Sequence, residues 1–262
     1  MTGRRRLDAE LVRRGLATSR DHARQLVGAG SVLVAGAPAA KVDRLVAAGE
    51  PVVVLGPPPR FVSRGGDKLD AALERFGIVV EGRRCLDAGA STGGFTDCLV
   101  QRGAASVVAL DVGHGQLHPR IREHPRVEVL ERVNLRDVGP GALGAPFGLV
   151  VADLSFISLT VVSATLVALA ADGADLVVLV KPQFEAGRAE VSRAKGVIRD
   201  PDVWRRALGA TARAFAAAGA PAVDACRSPI RGGAGNVEFP LHLRRGAVAA
   251  TAALDLGALT ES

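Results

Sequence analysis

The chain contains no tyrosine, one tryptophan, one methionine and three cysteines in 262 residues. Aromatic residues make up 3% of it, so few side chains could stack on a base. Phe156, Phe184 and Phe239 are the candidates, and each reads as core. The cysteines (Cys85, Cys98, Cys226) are odd in number and widely spaced. That excludes a zinc pattern and a secreted disulfide framework, and predicts reduced thiols. Five scattered histidines form no metal-spaced pair, so no metal is expected. The longest uncharged run, Leu154–Ala171, carries five Ser/Thr and reads as a buried crossover helix, not a membrane span. Arg4-Arg5-Arg6 lacks the apolar core and cleavage site of a signal peptide. A cytoplasmic protein with no stable membrane association is the expectation.

What is present is an uneven charge. Of 33 Lys/Arg and 27 Asp/Glu, eleven basic and five acidic residues fall within residues 1–66. The whole excess of +6 therefore lies in the N-terminal quarter, and the remainder is neutral. A polyanion-binding module joined to a neutral domain carries charge in this way. Within the module, Leu7–Arg14 reads as a helix stopped by Gly15. Thr18-Ser19-Arg20-Asp21 reads as the cap of a second helix, His22–Gly28. A strand with a turn is predicted at Ser31–Gly36 and another strand at Glu50–Leu55.

Domains are predicted at 1–56 and 63–245, with a proline-stiffened linker at 57–62 and a short tail at 246–262. In the larger domain a helix is expected over Leu69–Phe76, followed by alternating strands and helices. The strands are Arg84–Asp87, Ser106–Asp111, Val127–Leu130, Gly148–Asp153, Asp175–Lys181, Ala222–Arg227 and Val237–Leu243. The principal helices are Leu159–Ala170 and Pro201–Ala218. The fold class is α/β: a small α+β module, then a doubly wound seven-stranded Rossmann-like sheet with six crossovers and a final antiparallel strand.

The most informative stretch runs Arg84-Cys85-Leu86-Asp87-Ala88-Gly89-Ala90-Ser91-Thr92-Gly93-Gly94-Phe95. A strand ends on an acid, glycines follow, and a helix opens at Phe95. A ligand can lie against bare backbone at such a turn. The spacing is neither G-x-G-x-x-G nor a phosphate loop, which suggests S-adenosylmethionine. Asp87, Gly89, Ala90, Ser91, Gly93, Gly94 and Phe95 are the candidate loop contacts. Asp111 follows Asp87 by 24 residues, close to the roughly 20-residue offset of a ribose-binding acid. Val112, Asp153 and Asn134 complete the set, with Asn134 read either as an adenine contact or as a turn residue.

Lys68, Asp153, Lys181 and Glu238 form the candidate catalytic group. Lys181 directly follows five apolar strand residues, a costly place for an amine without a role or partner. Asp153 also ends an apolar strand, Glu238 enters the last strand from the same rim, and Lys68 precedes the first. Desolvation and the neighbouring Lys68 would favour a neutral Lys181, and the carboxylates would oppose it.

The order Arg-Leu-Asp, Gly-Leu-Ala-x-Ser-Arg, Ala-x-x-Leu-Val, Gly-x-Val-x-Val-x-Gly resembles the S4-type RNA-binding domain. That resemblance implies that Arg5, Arg6, Ser19, Arg20 and Arg24 face RNA phosphates; Arg64 joins them. Longer strings resemble the TlyA (hemolysin A-like) ribosomal RNA 2′-O-methyltransferases: Ser63-Arg64-Gly65-Gly66-Asp67-Lys68-Leu69, Asp87 to Thr96, Asp111-Val112-Gly113-His114-Gly115-Gln116-Leu117, Ala152 to Leu159, and Val180-Lys181-Pro182-Gln183-Phe184-Glu185. The resemblance runs from about Arg6 to Arg244. It implies an FtsJ-like methyltransferase domain, a Lys68-Asp153-Lys181-Glu238 tetrad, and cytidine 2′-hydroxyls of ribosomal RNA as substrate, free or in assembled subunits, with no DNA partner. Phe61 stands where the family often has tryptophan, and Gly187–Asp200 is unusually basic, with Arg188, Arg193, Lys195 and Arg199. The competing readings are a nicotinamide-dependent oxidoreductase, a membrane-active hemolysin and a non-catalytic RNA-binding or ribosome assembly factor.

Overall fold

A computed structural model describes residues 3–17, 19–56, 59–247 and 256–260, and the chain divides into two compact units, Met1–Arg64 and Gly65–Ser262. Thr18, Pro57 and Pro58 of the predicted cap and linker, and most of the predicted tail, lie outside the described residues. So does the side chain of Arg188.

In the first unit β1 (Arg5–Arg6) runs into α1 (Leu7–Arg13), and α2 (Arg20–Gly28) follows. Ser19 caps α2, its hydroxyl accepting from the His22 amide at 3.1 Å. Three further pieces close a small sheet: β2 (Val32–Val34) pairs antiparallel with β3 (Ala37–Pro38) and with β5 (Val52–Val54). A two-residue ribbon joins β1 to β4 (Leu45–Val46). Leu7, Leu11, Ala23, Val27, Val32, Val34 and Val46 make the core. β1, β3 and β4 went unpredicted because two residues are too few to show an alternating pattern. At the far end of the unit Phe61 and Val62 are buried, which an extended spacer would not require.

The second unit opens with α3 (Arg64–Phe76), five residues earlier than predicted. Gly65-Gly66 reads as a helix breaker, yet Gly66 is buried inside the first turns. The chain continues through β6 (Arg84–Ala88), α4 (Gly94–Gln101), β7 (Ser106–Asp111), α5 (Pro119–Arg122), β8 (Val127–Glu131), β9 (Phe147–Ala152), α6 (Leu159–Leu169) and β10 (Ala170–Val180). Two short helices follow, α7 (Pro182–Glu185) and α8 (Arg188–Arg193), then α9 (Pro201–Ala217), β11 (Ala222–Ala225), β12 (Phe239–Arg244) and α10 (Leu256–Thr260).

The seven strands form one sheet in the order β11-β12-β10-β9-β6-β7-β8. All neighbours from β10 to β8 are parallel, and β12 lies antiparallel between β10 and β11. The doubly wound sheet with a final antiparallel strand is therefore as expected, but six helical crossovers are not present. Only a 3₁₀ turn, Leu135–Asp137, lies between β8 and β9, and a helix-free loop joins β11 to β12. The central strands are apolar on both faces because helices cover both. In β10 every residue from Ala174 to Val180 is buried. Leu86, Val108, Val150, Leu166, Leu208 and Phe239 belong to the main core.

Candidate active site

Strand order brings the polar residues together. Across β12, β10, β9, β6 and β7 the neighbouring strand ends present Glu238, Lys181, Asp153, Gly89 and Asp111 along one rim. Val180 pairs with Phe239 in antiparallel register, so Lys181 and Glu238 occupy adjoining positions. Ala152 pairs with Val178 and with Ala88, which sets Asp153 beside both.

The four predicted catalytic side chains form two ion pairs. Lys68 Nζ on α3 lies 2.5 Å from Glu238 Oε2, and Lys181 Nζ lies 2.5 Å from Asp153 Oδ1. Lys68, Lys181 and Glu238 are all under a tenth exposed. Buried charges persist only when paired in this way. Lys181 also donates to Ser155 Oγ at 3.1 Å, a partner the sequence did not indicate.

Beside the pairs opens a cavity of about 350 Å³. Gly89, Ser91, Asp111, Val112, Asn134 and Asp153 of the predicted cofactor set line it. Leu110, Val133, Leu135, Leu154, Ile157 and Val162 supply apolar walls, and Gly113, Gln116, Ser155 and Phe156 complete the mouth. Gly89 must be glycine for two reasons. Its φ is +87°, and a Cβ there would stand 2.7 Å from the Asp153 carbonyl oxygen. The Asp153 amide in turn donates to the Ala88 carbonyl at 3.0 Å, tying the turn to the end of β9.

Asp111 holds the rim of the cavity. Its carboxylate accepts from the Ser91 amide at 2.8 Å and the Gly113 amide at 2.6 Å. Asn134 accepts from the Arg136 amide at 3.0 Å, so its carbonyl shapes the 3₁₀ turn while its residue still faces the cavity.

Five of the predicted cofactor residues do not line this cavity. Asp87 is fully buried beneath the turn, where Thr96 Oγ1 donates to its Oδ2 at 2.6 Å and Oδ1 has no hydrogen-bond partner among the described residues. Burial is the main cause that pushes its carboxyl up to about 7, with Asp153 and Asp111 adding to it and Thr96 opposing. Gly93 (φ +93°) caps α4 and abuts Leu117 and Ile121. Gly94 and Phe95 are buried in the first turn of α4, and Ala90 faces a separate small recess. These residues shape the turn from behind. A strand-to-helix motif does not reveal which of its side chains point to the ligand.

Phe156 departs most from expectation. It is 92% exposed, with a left-handed backbone (φ +66°), at the cavity mouth. Its ring lies 5.2 Å from that of Phe184, which in turn sits 5.8 Å from Lys181 Nζ. Glu185 fixes this corner by accepting from Ser158 Oγ at 2.5 Å and the Leu159 amide at 2.9 Å. Burial raises the Glu185 carboxyl above its usual range. Phe239, by contrast, is core.

The predicted RNA-facing arginines of the first unit share buried acids. Asp8 accepts from Arg6 at 3.1 Å and Arg20 at 2.9 Å, and Glu10 pairs with Arg5, Arg13 and Arg14. Arg24 is exposed and Arg64 half-buried. Ser19 Oγ accepts from the His22 amide as the cap of α2, which leaves its O–H free to donate.

Among the described residues no His/Cys/Asp/Glu cluster could hold a metal, and no helix is long and apolar enough to cross a membrane. The uncharged run Leu154–Ala171, read as a crossover helix, is a loop and the eleven-residue α6 running into β10.

Comparison with known proteins agrees with this geometry. Residues 61–245 match the FtsJ-like methyltransferase family and residues 5–52 the S4 domain. The chain is 53% identical to the 16S/23S rRNA (cytidine-2′-O)-methyltransferase TlyA of Mycobacterium tuberculosis, over 93% of this chain and 91% of that protein. It is 37% identical to Hemolysin A of Brachyspira hyodysenteriae, covering 90% and 98%. A solved structure from Streptococcus thermophilus, also named after hemolysins, superimposes with a TM-score of 0.78 at 34% identity, covering 99% of this chain and 95% of that one. The chain therefore belongs to the FtsJ-like methyltransferases and, among them, to the TlyA family, in which that catalytic module follows an S4 domain.

Proposed function

We propose that this protein methylates the 2′-hydroxyl of cytidine in ribosomal RNA, working in the cytoplasm with S-adenosylmethionine as methyl donor. The observation that carries the reading is the pair of lysine–carboxylate contacts set abreast at the strand ends, beside a cavity with an acid on its rim.

The residues present fit the cofactor. Gly89 leaves backbone bare at the turn, Asp111 keeps unused carboxylate lone pairs for a ribose diol, and the apolar walls suit an adenine face. When bound, S-adenosylmethionine supplies an electrophilic methyl group on a sulfonium. The chain's own task is to bring the 2′-oxygen to it in line, and holding two reactants in that geometry accounts for much of such a rate enhancement.

Lys181 is the group placed to do so. Asp153 stands against its ammonium as the counter-ion and Ser155 takes one of its N–H donors, leaving donor capacity for the 2′-oxygen. That contact orients an oxygen lone pair toward the methyl donor, and the hydroxyl proton passes to the Asp153 carboxylate beside Lys181. Glu238 and Lys68 neutralise one another next to this pair and keep the rim rigid. Phe156, exposed at the mouth and backed by Phe184, offers a face for the base of the acceptor nucleotide.

The test is to map 2′-O-methylation on ribosomal RNA from cells with the wild-type protein, with Lys181→Ala, and with neither. Methyl groups present only with wild-type protein are expected. In vitro, Lys181→Ala should lower turnover by about 10²–10⁴-fold while S-adenosylmethionine still binds. Turnover close to wild type would remove Lys181 from the mechanism.

A further inference from the structure

Several arginines of the second unit end on an acid. Arg83 is paired with Asp175, Arg102 with Asp70, Arg120 with Asp97 and Arg206 with Glu190. Arg193, Lys195 and Arg199 differ. All three are exposed, and none makes an ion pair or side-chain hydrogen bond among the described residues. They lie within seven residues, on the turn that leaves α8 and leads to α9.

The turn is anchored. Lys195 (φ +50°) and Gly196 (φ +81°) reverse the chain, and Ile198 is buried in the main core. Asn236, 2% exposed, holds the backbone from both sides: its Oδ1 accepts from the Ile198 amide and its Nδ2 donates to the Gly196 carbonyl, each at 2.9 Å. Trp204 Nε1 donates to the Ile198 carbonyl at 3.1 Å. Asn236 stands two residues before Glu238, and the exposed Arg231 belongs to the same glycine-rich loop. The basic turn is thus fastened to the segment that delivers a catalytic carboxylate. Nearby acids are engaged elsewhere: Glu190 by Arg206, Asp202 by Arg205, and Asp200 as the cap of α9.

We infer that Arg193, Lys195 and Arg199, with Arg231 beside them, form a second RNA-binding surface that receives phosphates of the strand flanking the acceptor nucleotide. This rests on the methyl-transfer reading above and adds to it a contact on the catalytic unit itself, separate from the arginines of the first unit. Cations held on a fixed backbone and not claimed by carboxylates meet phosphates without losing an existing partner. Such contacts position a strand and do not read its sequence.

The experiment compares full-length wild-type protein with the triple variant Arg193→Gln/Lys195→Gln/Arg199→Gln, and with Arg193→Lys/Arg199→Lys, which keeps the charge. The probe is ribosomal RNA from cells lacking the enzyme, supplied both protein-free and as isolated ribosomal subunits. The triple variant should raise KM for RNA at least tenfold with kcat within about twofold. The slope of log affinity against log salt should flatten by about two, since each lost phosphate contact removes roughly 0.7–0.9. The lysine variant should keep the wild-type slope, and S-adenosylmethionine binding should be unchanged in both. An unaltered KM and slope in the triple variant overturns the inference while leaving the methyltransferase reading intact. Loss of binding to phosphatidylglycerol vesicles with RNA KM preserved also overturns it and assigns the turn to a membrane surface. Wild-type protein that transfers no methyl group to RNA overturns the functional reading, and this inference with it.

Discussion

Asp87 shows how one carboxyl can be tied to the fold more than to the ligand. Thr96 supplies its hydrogen bonds, and burial lifts its carboxyl to about 7. An unfolded aspartate releases its proton near 3.9, so between about pH 4 and 7 the folded form binds the extra proton. Stability contributed here is therefore whole below about pH 4 and declines as pH rises through 7. Asp87→Asn keeps the shape without the charge. Urea unfolding at pH 5 and pH 8 should show the variant gaining on wild type at the higher pH, by about 3 kcal/mol at most. An equal difference at both pH values would contradict that origin. Asp111 is the opposite case, a carboxylate on the cavity rim that accepts two backbone amides. Asp111→Ala removes the hold on Ser91 and Gly113 and, on the proposed reading, the ribose contact. About 1.5–3 kcal/mol of cofactor affinity should go with it, a roughly tenfold to hundredfold rise in Kd by calorimetry.

Helix α1 places Asp8 and Glu10 in its first turn, buried, each gripped by arginines. On Asp8 burial opposes the charge, and hydrogen bonds from Arg6 and Arg20 outweigh it, bringing the carboxyl to about 2; Arg13 and Arg14 bring Glu10 to about 2 as well. Both values are depressed, so the stabilisation is present above about pH 4 and is lost as pH falls through 2. Amide exchange followed from pH 5 to pH 2 should show α1 and α2 losing protection before β6 to β10. Simultaneous loss would speak against these acids as the hold on the first unit. The elements themselves were partly legible in the chain. The apolar runs of β6, β9 and β10 and the serine cap of α2 announce themselves, because burial on both faces and an orphan amide have direct signatures in residue type. The start of α3 did not, since Gly65-Gly66 signals a break unless packing demands small residues. The four catalytic candidates were legible as a set, but their pairing was not: residue types do not state whether Lys181 meets Asp153 or Glu238. Nor was Phe156 legible, because an apolar ring in a loop reads as core until its exposure is known.

For the whole molecule, the charge excess of residues 1–66 acts through a module whose arginines are held in place by carboxylates. Arg6→Gln with Arg20→Gln should weaken RNA binding evenly across sequences and lower the salt slope by about 1.5. Filter binding between 50 and 200 mM salt measures this, and a sequence-selective loss would argue for direct base readout by these residues. The sheet order carries one more consequence. β12 is the last of the seven strands in the chain, yet it is inserted between β10 and β11 and brings Glu238 to the rim. Until it is in place, two older strands lie apart with open edges and Lys68 has no counter-ion. The enzyme is thus assembled like an arch whose keystone arrives last. A growing chain can shelter its cofactor turn early, but it acquires a working centre only when synthesis is nearly done, so incomplete products are inert by construction.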